Sequence, residues 1–130
     1  VKEATGDIAF ATQIMYDTQG DVDMYSGNDD MIVPMLSIGG KGVISVLSNV
    51  APKLACSITN SFFKKATDEA CFYQLQAMPL IEALFAETNP IPIKSAINML
   101  GFDFGVPRLP LVECSANLKN KIRQIYDTTK

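Results

Sequence analysis

The sequence has no histidine, no tryptophan and only three cysteines. Without histidine, the chain cannot form a Ser-His-Asp triad, a Cys-His pair or a zinc site built on imidazole. Cys56, Cys71 and Cys114 are odd in number and widely spaced, which argues against a disulfide framework and a CxxC metal site. We expect reduced, partly buried thiols in a cytoplasmic protein, with Cys56 and Cys71 in the core, and we expect no metal or other cofactor.

Basic character and long apolar runs are also missing. The chain has 11 basic and 14 acidic residues, so nucleic acid is not an expected partner. No apolar run approaches the roughly 18 residues that span a bilayer, and there is no signal-peptide pattern. We therefore expect no membrane partner. The chain has 130 residues and is 48% hydrophobic, which is enough to bury one core.

Residues 1–65 alternate short apolar strands with helical stretches. Asp7 is expected to cap the first helix, Asp29 or Asp30 the second, and Pro52 lies near the start of the third. The last strand lacks polar alternation, as in a strand that is buried on both faces. This order predicts a parallel sheet with right-handed crossovers. The three predicted strands cover residues 1–4, 23–26 and 43–46.

Residues 66–130 are predicted to form helices joined by one extended segment. Pro79 should kink the first of these helices or mark a boundary, Arg108–Leu111 is expected to be extended, and Ser115 is expected to cap the last helix. We thus predict an α/β part over 1–65 and an all-α region over 66–130. The first helix is predicted to bury a stripe formed by Cys71, Leu75, Met78, Ile81 and Phe85.

In parallel α/β folds, functional groups collect at the carboxyl ends of the strands. Lys2 is the only cationic residue in the three predicted strands. A buried position would favour the neutral amine that attacks carbonyls, although position and residue type alone favour a solvated terminal lysine. Gly27 breaks the second strand, either as a turn glycine or where the backbone approaches a ligand. The glycine-rich run 39–42 precedes a strand and lacks the phosphate-loop layout, so we expect no phosphate site there.

Six blocks of sequence, in order and at similar spacing, resemble the 4-hydroxy-tetrahydrodipicolinate synthase (dihydrodipicolinate synthase) family. Together they extend over essentially the whole chain. The blocks are Val1-Lys2-Glu3-Ala4-Thr5-Gly6-Asp7, Tyr25-Ser26-Gly27-Asn28-Asp29-Asp30, Gly39-Gly40-Lys41-Gly42-Val43-Ile44-Ser45-Val46, Asn49-Val50-Ala51-Pro52, Asn89-Pro90-Ile91-Pro92-Ile93-Lys94 and Arg108-Leu109-Pro110-Leu111.

The resemblance implies a class I aldolase of lysine biosynthesis on a (β/α)8 TIM barrel, with residues 1–65 as its last three β-α units. Lys2 would form a Schiff base with pyruvate, and the resulting enamine would attack aspartate semialdehyde. Gly27 would line the substrate, the Ile44 carbonyl would face the lysine adduct, and Asn89 would lie near the second substrate. The family also implies a homotetramer.

Two departures from the family pattern bear on these expectations. Asn28 stands where many members have aspartate, so no role is transferred to it. A complete barrel needs about 250 residues, so we expect strands one to five to precede this chain. We expect the chain alone to be inactive and, through its open sheet edge, to self-associate. The alternatives are another pyruvate-dependent aldolase, such as N-acetylneuraminate lyase, or a non-catalytic fragment.

Overall fold

The computed structural model describes residues 1–129, which form a small parallel sheet and six α-helices. Two 3₁₀ turns, Asp29–Met31 and Leu47–Asn49, follow the second and third strands. The elements are β1 (Lys2–Glu3), α1 (Ile8–Asp17), β2 (Tyr25–Ser26), α2 (Ile32–Ser37), β3 (Gly42–Val43), α3 (Pro52–Phe63), α4 (Thr67–Phe85), α5 (Ile91–Met99) and α6 (Ala116–Thr129).

The sheet has the strand order β1-β2-β3, and both pairings are parallel. Lys2 pairs with Tyr25, which in turn pairs with Gly42. Because β1 and β3 are the outer strands, each leaves one backbone edge without a partner strand among residues 1–129. The third strand is shorter than predicted, since Val46 has helical backbone angles (φ −82°, ψ −42°) and precedes a 3₁₀ turn.

The starts of the helices are determined by local chemistry. The Asp7 carboxylate accepts hydrogen bonds from the backbone N–H groups of Ala9 and Phe10, at 2.9 and 3.2 Å, so the predicted cap of α1 is confirmed. Pro52 is the first residue of α3, where its missing N–H costs nothing. The predicted cap of the second helix is wrong. Neither the 3₁₀ turn that starts at Asp29 nor α2 has a side-chain cap.

One large apolar cluster extends from α2 to α6. It therefore includes residues on both sides of the predicted boundary between the α/β part and the helical region. Ile58 of α3 and Leu80 and Leu84 of α4 are completely buried in it. A second, much smaller cluster consists of Ala11, Met24 and Met35 between α1, β2 and α2. The helices therefore pack onto the last β-α units as a continuous core.

Three local predictions are wrong. The stripe predicted on α4 is only partly buried: Ile81 lies in the core, but Leu75 is 70% and Phe85 41% exposed. The helix instead buries the face that carries Ala70, Ala77, Leu80 and Leu84, and it continues across Pro79. Cys56 is exposed on α3 and is not part of the core. The segment Arg108–Leu111 forms a turn, in which the Leu111 N–H donates to the Arg108 carbonyl.

Candidate functional site

Lys2 and Gly27 lie side by side, although they are 25 positions apart in the sequence. A Cβ atom added to Gly27 would lie 2.9 Å from Lys2 Cε, 2.9 Å from the Glu3 carbonyl oxygen and 2.5 Å from Ala4 Cβ. All three distances are too short for non-bonded contacts, so only glycine fits here. The close backbone approach at Gly27 is therefore made to its own chain, at Lys2, Glu3 and Ala4.

The Lys2 side chain is exposed within residues 1–129. This differs from the expectation of a lysine surrounded by a low-dielectric interior. The physical reason is that three strands form an open sheet, whose face is not enclosed as it is in a closed barrel. The backbone around Lys2 is nevertheless well fixed, because Gly27 N–H donates to the Glu3 carbonyl and Tyr25 N–H donates to the Val1 carbonyl.

The loop after β1 is held by a relay of side-chain hydrogen bonds. Glu3 is 5% exposed, and its Oε1 accepts from the Thr5 N–H at 2.7 Å. The Thr5 hydroxyl oxygen then accepts from the Asp7 N–H at 3.1 Å, and Asp7 caps α1. Each polar residue of the Glu-Ala-Thr-Gly-Asp run thus fixes the backbone two positions further along.

Asn28 connects the loops that follow β1 and β2. In the amide orientation that satisfies both of its polar ends, the oxygen accepts from Gly6 N–H and the nitrogen donates to the Gly27 carbonyl, each at 3.2 Å. An aspartate could accept from Gly6 but, when ionised, could not donate to Gly27. Asparagine at this position therefore allows hydrogen bonds to both Gly6 and Gly27, of which an ionised aspartate could make only the first.

The loop after β3 starts at Ile44, whose N–H donates to the Ser26 carbonyl at 2.8 Å. The Ser45 hydroxyl oxygen accepts from the Ser48 N–H at 2.8 Å and tightens the turn. Asp29, from the loop after β2, accepts two further backbone hydrogen bonds with its Oδ2, from Val46 at 2.8 Å and Leu47 at 2.9 Å.

Gln74 of α4 completes this arrangement, and the sequence analysis missed it. Its Nε2 donates to the Asp29 carbonyl at 2.9 Å, and its Oε1 accepts from the Val33 N–H at 3.2 Å. Both side chains are buried, Gln74 at 6% and Asp29 at 1% exposure. A signal was present, because Gln74 lies on the same helical face as Ala70 and Ala77, where a polar residue needs a partner.

Asn89 lies in a different loop. It is exposed in the loop between α4 and α5 and precedes a cis peptide bond to Pro90. Within residues 1–129 it makes no hydrogen bond to Lys2, Gly27 or Ile44. It follows the end of α4 that borders a groove beside the loop after β2. This groove has a volume of about 260 Å³ and is lined by Asn28, Asp30, Met78, Ile81, Glu82 and Phe85.

Two other kinds of feature are absent from the described part of the chain. Residues 1–129 contain no group of three or more acidic or cysteine side chains arranged to hold a metal ion. Among the helices described, none is both long and apolar enough for a membrane span.

Comparison with known proteins decides the family. The model of the dihydrodipicolinate synthetase family matches residues 1–129. The chain belongs to this family. The family resemblance in the sequence and the α/β fold class, with the last three β-α units of a barrel followed by helices, are thereby confirmed.

The relatives of this synthetase-family chain carry consistent names. A 4-hydroxy-tetrahydrodipicolinate synthase from Caldicellulosiruptor saccharolyticus is 50% identical over 111 residues, which are 85% of this chain and 37% of the relative. One from Clostridium novyi is 42% identical over 134 residues and covers all of this chain and 45% of the relative. The chain thus spans less than half the length of these curated relatives.

Solved structures agree with this assignment. The crystal structure of a dihydrodipicolinate synthase from Thermotoga maritima matches with a TM-score of 0.94 and 38% identity, over 98% of this chain and 44% of that chain. The synthase from Cyanidioschyzon merolae, with lysine bound, matches with a TM-score of 0.92 and 36% identity, over 98% and 43% of the two chains. A monomeric synthase variant also matches with a TM-score of 0.92 and 37% identity, over 97% of this chain and 43% of the variant.

Proposed function

We propose that the protein carrying this chain is a 4-hydroxy-tetrahydrodipicolinate synthase, in which Lys2 forms a Schiff base with pyruvate and aspartate semialdehyde is the second substrate. The observation that carries the proposal is the contact between Lys2 of β1 and Gly27, which directly follows the carboxyl end of the neighbouring parallel strand β2. Membership of the synthetase family and the names of the relatives support the same activity.

The proposed reaction balances without a cofactor. The Lys2 amine attacks the ketone carbon of pyruvate and releases water, which leaves an imine. Loss of a proton from the pyruvate methyl group gives an enamine, whose carbon forms a bond to the aldehyde carbon of aspartate semialdehyde, while the aldehyde oxygen takes up a proton. The amino group of the new chain then attacks the imine carbon, closes the ring and expels the Lys2 amine.

The neighbouring residues have supporting parts in this proposal. Gly27 leaves room for the Lys2 side chain, because any Cβ there would overlap Lys2 Cε. The Ile44 carbonyl would accept a hydrogen bond from the lysine adduct, and Ile44 itself is 49% exposed and accessible. Asn89 would contact the second substrate from the α4–α5 loop. The family resemblance is the source of the roles of Ile44 and Asn89, and it also assigns Gly27 to the lining of the substrate.

Trapping with borohydride tests the proposal. The full-length protein is incubated with pyruvate and reduced, and its peptides are sequenced by mass spectrometry. We expect a reduced pyruvate adduct on Lys2 and turnover with aspartate semialdehyde but not with N-acetylneuraminate. Turnover of N-acetylneuraminate instead would favour the lyase alternative. A protein that forms no adduct at all would contradict the Schiff-base mechanism.

We further propose that residues 1–130 by themselves self-associate and do not turn over the substrates, and that the full-length protein is a homo-oligomer, as the family resemblance implies. The sheet has open edges at β1 and β3, and Phe72 and Leu75 of α4 expose their apolar side chains. Sedimentation of the 130-residue chain would test its association. A monodisperse monomer that forms product would contradict both expectations for the chain alone.

A further inference from the structure

A buried series of hydrogen bonds connects helix α4 with the loop that carries Ile44. Gln74 Nε2 donates to the Asp29 carbonyl, and the Asp29 carboxylate accepts from Val46 and Leu47. We refer to these four residues as the Gln74–Asp29 clamp. The clamp holds the backbone two and three positions after Ile44, whose own N–H is bonded to β2. The backbone that carries the Ile44 carbonyl is therefore held from both sides.

The side chain of Asp29 is used in a way that helix stability alone does not explain. Aspartate at the start of a helix normally caps that helix, yet the turn at Asp29 and the following α2 have no side-chain cap. Its Oδ1 is buried and has no hydrogen-bond partner within the described residues. An unpaired buried oxygen is unfavourable and calls for an explanation.

The hydrogen bonds of the other carboxylate oxygen of Asp29, Oδ2, explain why Oδ1 is left unpaired. Oδ2 makes two bonds to the backbone of the next loop, and bonds to an ionised acceptor are stronger than neutral ones. Gln74 then fixes Asp29 itself, because it bonds to the Asp29 carbonyl and to the Val33 N–H in the first turn of α2, the helix that follows. The carboxylate is thus committed to the loop after β3 and not to its own helix.

We propose that Gln74 and Asp29 are positioning residues that hold the Ile44 carbonyl in register with the lysine adduct. This inference rests on the proposed function, which directs that carbonyl at the adduct. Both residues act through the backbone of residues 44–47 and need no contact with substrate. Helix α4 thereby controls the geometry of a site that is built on the strands.

The first test is Gln74→Met in the full-length protein. Methionine keeps the length and the burial of the side chain but removes both hydrogen bonds. Borohydride trapping on Lys2 counts the competent sites, so kcat is expressed per trapped site. We expect kcat per site to fall about ten- to a hundredfold, with little change in the KM for pyruvate, because misplacing a group that acts after binding slows the later steps. Hydrogen exchange in peptides covering residues 44–49 should accelerate.

Gln76→Met is the matched control, since Gln76 is exposed on the same helix two positions away. It should leave kcat per site and the exchange of residues 44–49 unchanged. A purely structural role of Gln74 would lower the number of trapped sites and leave kcat per site intact. That result would overturn the inference, as would unchanged exchange in residues 44–49.

Gln74→Glu decides the question if the methionine variant does not fold. Glutamate still accepts from the Val33 N–H but, once ionised, has no proton to donate to Asp29. As the carboxyl of this variant ionises, we expect its kcat per trapped site to fall below that of the wild type at the same pH. A pH profile of kcat identical to that of the wild type would contradict the inference. If borohydride traps no pyruvate on Lys2 of the wild-type protein, the proposed function itself is wrong. If the wild-type protein traps pyruvate but the Gln74 variants keep the full kcat per site, only the inference about Gln74 and Asp29 is wrong.

Discussion

The first β-α unit and the helical region are stabilised by different kinds of interaction. Around β1 and β2 only Ala11, Met24 and Met35 form a buried apolar cluster, and hydrogen bonds from Glu3 and Asn28 connect the loops. From α2 to α6, twenty buried residues form one apolar cluster. The comparison indicates that polar contacts define the geometry of the site, while the stability that maintains it comes from helices elsewhere in the chain.

Replacing the lysine should have the largest effect. Lys2→Arg in the full-length protein keeps the positive charge but removes the amine that forms an imine, so we expect activity to fall by a factor of about 1,000 or more. The melting temperature should hardly change, because the side chain is exposed. Lys41→Arg, at an exposed position before β3, is the control and should retain activity. A pyruvate adduct on another lysine in Lys2→Arg would contradict the assignment.

Leu80→Ala tests the apolar side of the comparison. Leu80 is completely buried in the large cluster, so truncation should cost about 2–5 kcal/mol in the free energy of unfolding. Leu75→Ala, on the exposed face of the same helix, should cost less than about 0.5 kcal/mol. Urea unfolding of the full-length variants measures both. Equal costs would mean that the face buried by α4 has been identified wrongly.

Gly27→Ala should reduce stability less than Leu80→Ala does, but it should also disturb the position of Lys2. The added Cβ would overlap Ala4, the Glu3 carbonyl and Lys2, at an expected cost of about 1–3 kcal/mol. Because Lys2 must move, the yield of trapped pyruvate adduct should also fall. Gly20→Ala is the matched control. Gly20 has a positive φ of 78° and nothing within 4 Å of the added Cβ, so it should lose about 1–2 kcal/mol but keep its adduct yield.

The cysteines provide the mildest test. Cys114 is buried, and that burial, together with the nearby Glu87 carboxylate, raises the pKa of its thiol. Cys56 is exposed on α3. Alkylation with iodoacetamide should therefore modify Cys114 at least about tenfold more slowly than Cys56, because the thiolate is the reactive form. Mass spectrometry of the alkylated peptides would detect this difference, and equal rates at the two sites would contradict it.

The raised pKa of Cys114 also determines the direction in which folding stability changes with pH. Since the pKa of Cys114 is higher in the folded state, the unfolded chain releases this proton first as the pH rises. The contribution to stability is present below the pKa of the unfolded thiol, about 8.5, and is lost above it. Cys114→Ala should reduce the loss of stability between neutral and alkaline pH. An unchanged pH dependence in this variant would contradict the shift.

Much of the fold was predictable because its signals are local. The Asp7 cap, Pro52 at the start of α3 and the parallel order of the strands follow from residue type and spacing alone. The buried face of α4 was not predictable in this way. Large apolar residues such as Leu75 lie on its exposed side, whereas small residues such as Ala70 and Ala77 allow close packing inside.

By itself, the sequence determined the family, the order of strands and helices, and Lys2 and Gly27 as candidate site residues. Only the tertiary structure decided that Gly27 leaves room for Lys2, that Asp29 bonds to the loop after β3 and that Gln74 holds Asp29. The physical reason is distance along the chain. Caps and turns involve neighbours a few positions apart, but Gln74 and Asp29 are 45 positions apart and meet only once the helices have packed against the strands.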